Sequence, residues 1–151
     1  MRLQLDPDGQ LHWQHQALPP VPTQPPVRLL LADAPVETPT WLLAHKTDLR
    51  AEYNAALATA QAAGAFDALF FNAAGQLTEG ARSNVFVQID GQWLTPPVAC
   101  GLLPGVMRAR LLADPALAAR EAVITRDGLS RAQAIMVCNA LYGALPAVLA
   151  G

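Results

Sequence analysis

The sequence predicts a mixed α/β domain with much antiparallel pairing. Short apolar runs of strand length recur along the chain, and Asp-Gly or Asn-Ala-Ala-Gly turns join several of them. An alanine-rich run, Ala55 to Ala63, and a second run, Val106 to Ala113, have helical character. At 151 residues the chain has the length of one domain and can bury a sizeable core.

Leu3, Leu5, Leu11 and Trp13 alternate about Asp6-Pro-Asp-Gly9, the pattern of a hairpin. His12 and His15 lie beside it, but no carboxylate or cysteine joins them at ligand spacing, so no metal is expected. Ala17 to Pro26 holds five prolines and reads as a stiff connector, with an SH3-like recognition segment as the other reading. It divides residues 1–26 from a main domain at 27–151.

Val27 to Ala32 reads as a strand and Asp33 to Thr40 as a loop. Trp41 to Ala44 reads as an extended run that gives way to a helix from Asp48 to Ala63, with Gly64 as its C-cap. Four strands follow: Ala68 to Asn72, Gln76 to Glu79, Val85 to Ile89 and Gln92 to Thr95. Their turns suggest one antiparallel meander. Pro96-Pro97 end it. Gly101-Leu-Leu-Pro-Gly105 is a loop that opens the helix Val106 to Ala113. Glu121 to Thr125 reads as a strand, Asp127 to Arg131 as a short helix, and Ala134 to Asn139 and Leu145 to Leu149 as final strands.

Net charge is −2 and no basic cluster or arginine-rich helix occurs, so nothing points to nucleic acid. No apolar run reaches membrane-spanning length, and the first residues lack the apolar core of a secretory signal. Cys100 and Cys138 lie far apart and outside any CxxC, so a cytoplasmic location and two small buried thiols are expected. Hydrophobic residues make up 52% and charged ones 15%, which implies a face covered by a partner subunit or a further domain.

Lys46 is the only lysine. Taken alone it reads as a surface residue. At a strand-to-helix junction, however, an apolar pocket could lower its pKa and suit it to Schiff-base chemistry. Glu79 lies between small residues in Leu77-Thr-Glu-Gly80, and Gly101–Gly105 leads into a helix start, where free N–H groups favour an anion. A reactive lysine, a carboxylate and a phosphate cradle are the parts that pyridoxal phosphate requires. Each part alone is a weak signal.

In series the segments are specific. His45-Lys-Thr with Arg50 and Tyr53, Thr78-Glu-Gly-Ala-Arg-Ser-Asn-Val-Phe86, Thr95-Pro-Pro, Gly101-Leu-Leu-Pro-Gly-Val-Met-Arg108 and Val137-Cys-Asn-Ala-Leu141 occur in order. Together they resemble the fold-type IV pyridoxal-phosphate enzymes, and within them the 4-amino-4-deoxychorismate lyase type found in bacterial fusions with aminodeoxychorismate synthase component I. The resemblance runs from about Val27 to the end. It implies the large domain of that fold, a mixed and largely antiparallel sheet with flanking helices. Of the family's small N-terminal domain it implies only a last hairpin, so either a piece of a larger protein or a short reading frame lacking that domain is expected.

The resemblance also assigns roles. Lys46 corresponds to the lysine that joins the cofactor, and Glu79 to the partner of the pyridine nitrogen. Leu103 packs on the ring, the Val106 and Met107 N–H groups after Gly105 hold the phosphate, and Asn139 and Ala140 flank it. Ser83, Asn84, Arg50 and Tyr53 fall close to the cofactor. Class IV aminotransferases usually carry threonine or serine where Ala140 stands, which favours a lyase releasing 4-aminobenzoate and pyruvate from a small-molecule substrate. A branched-chain or D-amino-acid aminotransferase is the second reading, and an inactive domain the third. The resemblance implies a homodimer, while a monomeric, colourless preparation would favour the third reading.

Overall fold

The computed structural model describes residues 2–17, 20 and 25–150. Most of the proline-rich connector falls outside the described residues. β1 (Arg2–Leu5) and β2 (Leu11–Gln14) form the expected hairpin, with Leu3 opposite Trp13 and Leu5 opposite Leu11. Across it the His12 imidazole meets the Asp6 carboxylate at 3.0 Å, a partner that their spacing had not suggested.

The main domain is one eight-stranded mixed sheet. Its strands are β3 (Val27–Leu31), β4 (Asp67–Phe71), β5 (Leu77–Gly80), β6 (Asn84–Ile89), β7 (Gln92–Thr95), β8 (Arg120–Glu121), β9 (Ala134–Asn139) and β10 (Gly143–Leu149). Their order is β5-β4-β3-β10-β9-β6-β7-β8. Turn chemistry sets two of the local hairpins. Asn72 Oδ1 accepts the N–H groups of Ala74 and Gln76 between β4 and β5. Asp90 and Gly91 both take positive φ between β6 and β7, as a two-residue hairpin turn demands.

The expected four-stranded meander does not form. β5 pairs with β4 but not with β6, which lies between β7 and β9, because β3, β10 and β9 enter between the two hairpins. Instead the sheet curls until the free edge of β5 meets the chain beyond β8. Leu77 N–H donates to Ile124 O at 2.7 Å, and Gln76 bridges Thr125. The strand expected over Glu121 to Thr125 is therefore only Arg120–Glu121, parallel to β7.

Inside the curl lie Leu29, Leu69, Leu77, Val85, Val87, Ile124 and Val137. β4 is buried along its whole length, so its other face also needs cover. α2 (Ala51–Ala62) supplies it. Its alanines favour helix, and Tyr53, Ala56, Leu57 and Ala60 fall on one face, against Phe70 and Ala68. Gly64 follows with φ +70°, the left-handed stop expected there.

Trp41 to Ala44 is not extended. Thr40–Leu43 is a single helical turn, α1. No neighbouring strand is offered to this run, and the Leu42 and Leu43 N–H groups donate to Pro39 O instead. α3 (Val106–Leu112) crosses near β9, fixed by Arg108. Its buried guanidinium donates to Pro96 O at 2.7 Å and pairs with Glu121. α4 (Arg126–Ser130) is capped by the Thr125 hydroxyl, which accepts the Gly128 N–H. No described helix is long and apolar enough to cross a membrane.

Candidate active site

The C-terminal ends of β5 and β9 and the start of β6 converge on a cavity of about 340 Å³. The Leu103–Val106 loop and the segment before α2 complete its wall. Ten of the twelve residues singled out in the sequence line it: Lys46, Arg50, Glu79, Ser83, Asn84, Leu103, Gly105, Val106, Asn139 and Ala140. Met107 is half-buried in the first turn of α3, and Tyr53 stands behind Glu79. Gly80, Ala81, Arg82, Pro104 and Cys138 also line the cavity. All sit within the five motif segments, so adjacency in sequence was the signal that could have found them.

Lys46 is exposed, not held in an apolar pocket. Its amine forms no hydrogen bond or ion pair among the described residues.

Glu79 is the opposite case. It is 7% exposed and has no ion pair among the described residues. Tyr53 Oη donates to its Oε1 at 3.0 Å, while Leu103 N–H at 3.1 Å and Asn84 Nδ2 at 3.4 Å donate to Oε2. Burial pushes its carboxyl up to about 7, against the Leu103 and Tyr53 hydrogen bonds and the nearby Arg50 charge. The site thus holds a buried, hydrogen-bonded carboxyl with no ion pair among the described residues.

Three polar side chains build the wall more than they offer bonds to its contents. Asn84 also donates to Leu103 O at 2.8 Å, tying β6 to the loop before α3. Asn139 Nδ2 donates to Arg82 O, and its Oδ1 accepts the Leu141 and Tyr142 N–H groups of the β9–β10 turn. Ser83 donates to the fully buried Asp67, whose carboxyl is pushed up by burial and held down in part by that bond. Cys138 is pushed up to about 12 by burial, so its thiol remains a neutral wall group.

Arg50 donates to Ala81 O, and its guanidinium stands 4.9 Å over the Tyr53 ring. The Val106 and Met107 N–H groups belong to the first turn of α3 and have no partner within the helix. Gly105 lets Asn84 approach, since a Cβ there would meet Asn84 Oδ1 at 2.2 Å.

Gly80 is as tightly constrained. A Cβ would lie 2.4 Å from Asp67 Oδ2 and 2.8 Å from Ser83 Oγ. Gly80→Ala is expected to lower stability by about 2 kcal/mol in urea unfolding, as overpacking against a buried hydrogen-bonded pair does. Gly75→Ala meets nothing within 4 Å and is strained only by its φ of +71°, so it should cost less.

A sequence model of the family "Amino-transferase class IV" matches residues 2–149. The chain belongs to this family. Class IV enzymes are pyridoxal-phosphate-dependent lyases or aminotransferases. A "Putative aminodeoxychorismate lyase" of Schizosaccharomyces pombe is 33% identical over 81 residues, 53% of this chain and 35% of the relative. Among solved structures, a "Putative amino-acid aminotransferase" from Mesorhizobium loti is 35% identical with a TM-score of 0.79, covering 98% of this chain and 71% of that one. A "Putative 4-amino-4-deoxychorismate lyase" from Legionella pneumophila is 31% identical with a TM-score of 0.76, covering 82% and 47%. The class IV chain described here thus spans about a third of the curated relative's length and about half of the Legionella protein's.

Proposed function

We propose that this chain carries the cofactor site of a pyridoxal-phosphate-dependent 4-amino-4-deoxychorismate lyase, which forms 4-aminobenzoate and pyruvate for folate synthesis. The observation that carries the reading is the cavity, where the only lysine, a buried carboxyl with no ion pair among the described residues and an open helix start meet. That donor set fits pyridoxal phosphate. Lys46 would bind it covalently, Glu79 would face the pyridine nitrogen and Leu103 the ring. The Val106 and Met107 N–H groups would hold the phosphate beside Asn139 and Ala140, with Ser83, Asn84 and Gly105 shaping the wall.

When bound, the cofactor supplies an aldehyde carbon for the substrate amine and a ring that withdraws electrons from it. The protein's own part is proton handling. Lys46 removes the proton from the carbon bearing the substrate amine and returns one to the departing enolpyruvyl group. Glu79, as a carboxylate, favours the protonated ring nitrogen. Arg50 adds positive charge at the wall for an acidic substrate.

Two observations favour the lyase. By the family resemblance Ala140 puts a methyl where class IV aminotransferases usually have a hydroxyl, and lyase names occur among the relatives. An amino-acid aminotransferase is the second reading, favoured by the Mesorhizobium structure that covers nearly the whole chain. Trp41, Leu49 and Val106 are 66–79% exposed, which supports a homodimer, in this reading a cytoplasmic one. Light scattering that finds a single chain would sink the dimer.

The test is to load the chain with pyridoxal 5′-phosphate and supply 4-amino-4-deoxychorismate without any keto acid. Pyruvate and 4-aminobenzoate in equal amounts are expected. Amino transfer that needs a keto acid would replace the lyase with the aminotransferase. No turnover and no cofactor on Lys46 would leave the inactive domain.

A further inference from the structure

Glu79 stands between two cavities. On one side is the large one. On the other is a space of about 20 Å³, lined in part by His45, Thr47, Arg50 and Tyr53. A carboxylate offers about four acceptor positions. Three are taken, and among the described residues Tyr53 is the sole donor to Oε1.

Tyr53 does not line the large cavity, so it is not placed to touch what that cavity holds. It is 3% exposed, its ring lies 4.8 Å from that of Phe70, and the Arg50 guanidinium covers it. A ring so confined holds its hydroxyl at one point. Burial and the adjoining Glu79 push the phenol far above its usual range, so it stays a donor.

We propose that Tyr53 is the positioning residue of Glu79: its hydroxyl, fixed by α2, orients the carboxylate and favours its charged form from behind the cavity wall. The fourth acceptor position then remains for a cation on the cavity side. This deepens the proposed function, since it rests on Glu79 facing a protonated ring nitrogen. The ionisable groups around Glu79 are Arg50 and Tyr53 at the start of α2, His45 and Lys46 on the loop before it, and Asp67 on β4. Arg50 favours the charge and Asp67 opposes it, but of these only Tyr53 is hydrogen-bonded to the carboxylate.

Tyr53→Phe keeps the ring and removes the hydroxyl. In the cofactor-free chain, the carbon-13 titration of the Glu79 carboxyl should move up by about one pH unit. Pyridoxal 5′-phosphate should then bind about tenfold more weakly at pH 6, because the competent charged form is rarer. The gap should close by about pH 9, where both proteins hold Glu79 charged. In a Glu79→Gln background, Tyr53→Phe should add nothing. Fluorotyrosine at both tyrosines keeps the fold should the phenylalanine variant lose it. As a stronger donor, it should move the Glu79 titration down.

An unmoved titration overturns the proposal, including the case where water in the small cavity replaces the hydroxyl. A merely structural role predicts equal weakening at every pH and in both backgrounds, which also overturns it. A moved titration with pyridoxal phosphate binding unaffected at all pH values upholds the Tyr53–Glu79 link and overturns the assignment of Glu79 to the ring nitrogen.

Discussion

Lys46→Ala should leave the chain folded and without covalent cofactor. Wild-type protein treated with pyridoxal 5′-phosphate and borohydride should carry the label at Lys46. The variant should carry none there, and its turnover should fall by about a thousandfold or more, the scale of losing both an amine nucleophile and a proton-transfer group. The experiment is unusually clean here, because no other lysine exists to take the label. Stability should hardly change. The side chain is exposed and makes no hydrogen bond or ion pair among the described residues, so its removal leaves no polar partner unpaired there. A small primary amine added to the variant should restore part of the rate, since proton transfer needs only a base of the right size in the cavity. Labelling or undiminished turnover in Lys46→Ala would end the proposed role.

The sequence was a good guide where the cause is local. Asn72 to Gly75 and Asp90-Gly91 are turns because of their own side chains and φ preferences, and both hairpins formed where expected. Which hairpin lies beside which is not local. β3 and β10 pair in parallel across 120 residues of sequence and push the two hairpins apart, and no turn residue records that. Trp41 to Ala44 failed for another reason: a four-residue apolar run fits a strand or a helical turn equally, and only the absence of a strand neighbour decides. At the site, the motif segments located the wall but not the wiring within it. Asp67 was read as nothing because its burial and its partner Ser83 depend on the curl of the sheet. Asn139 was read beside a phosphate. Its side chain is bonded to Arg82 O and to its own turn, wiring that the motif does not record.

Glu79→Gln should stabilise the cofactor-free chain while weakening its hold on pyridoxal phosphate. The Glu79 carboxyl rises from 4.5 to about 7 on folding, chiefly through burial. The native state therefore binds more protons than the unfolded state between those values, and stability falls as pH rises through them. Below about pH 4.5 both states are protonated and the group's contribution is fully present. By pH 8 both have lost the proton, and the buried charge has cost about 3 kcal/mol. Glutamine escapes that cost. With its carbonyl turned to the Leu103 N–H and the Asn84 amide, its own amide can donate to the Tyr53 oxygen, and the Tyr53 O–H, which loses its acceptor, can turn to a water in the small cavity of about 20 Å³ beside it. Urea unfolding should find the variant more stable by about 3 kcal/mol at pH 8 and about equal to wild type at pH 4. Pyridoxal phosphate affinity should move the other way, because a neutral amide cannot stabilise a protonated ring nitrogen. Equal stability at both pH values would mean that Glu79 is not a buried charge waiting for a cation. Gained stability with unchanged affinity would mean that the cation it waits for is not the cofactor's.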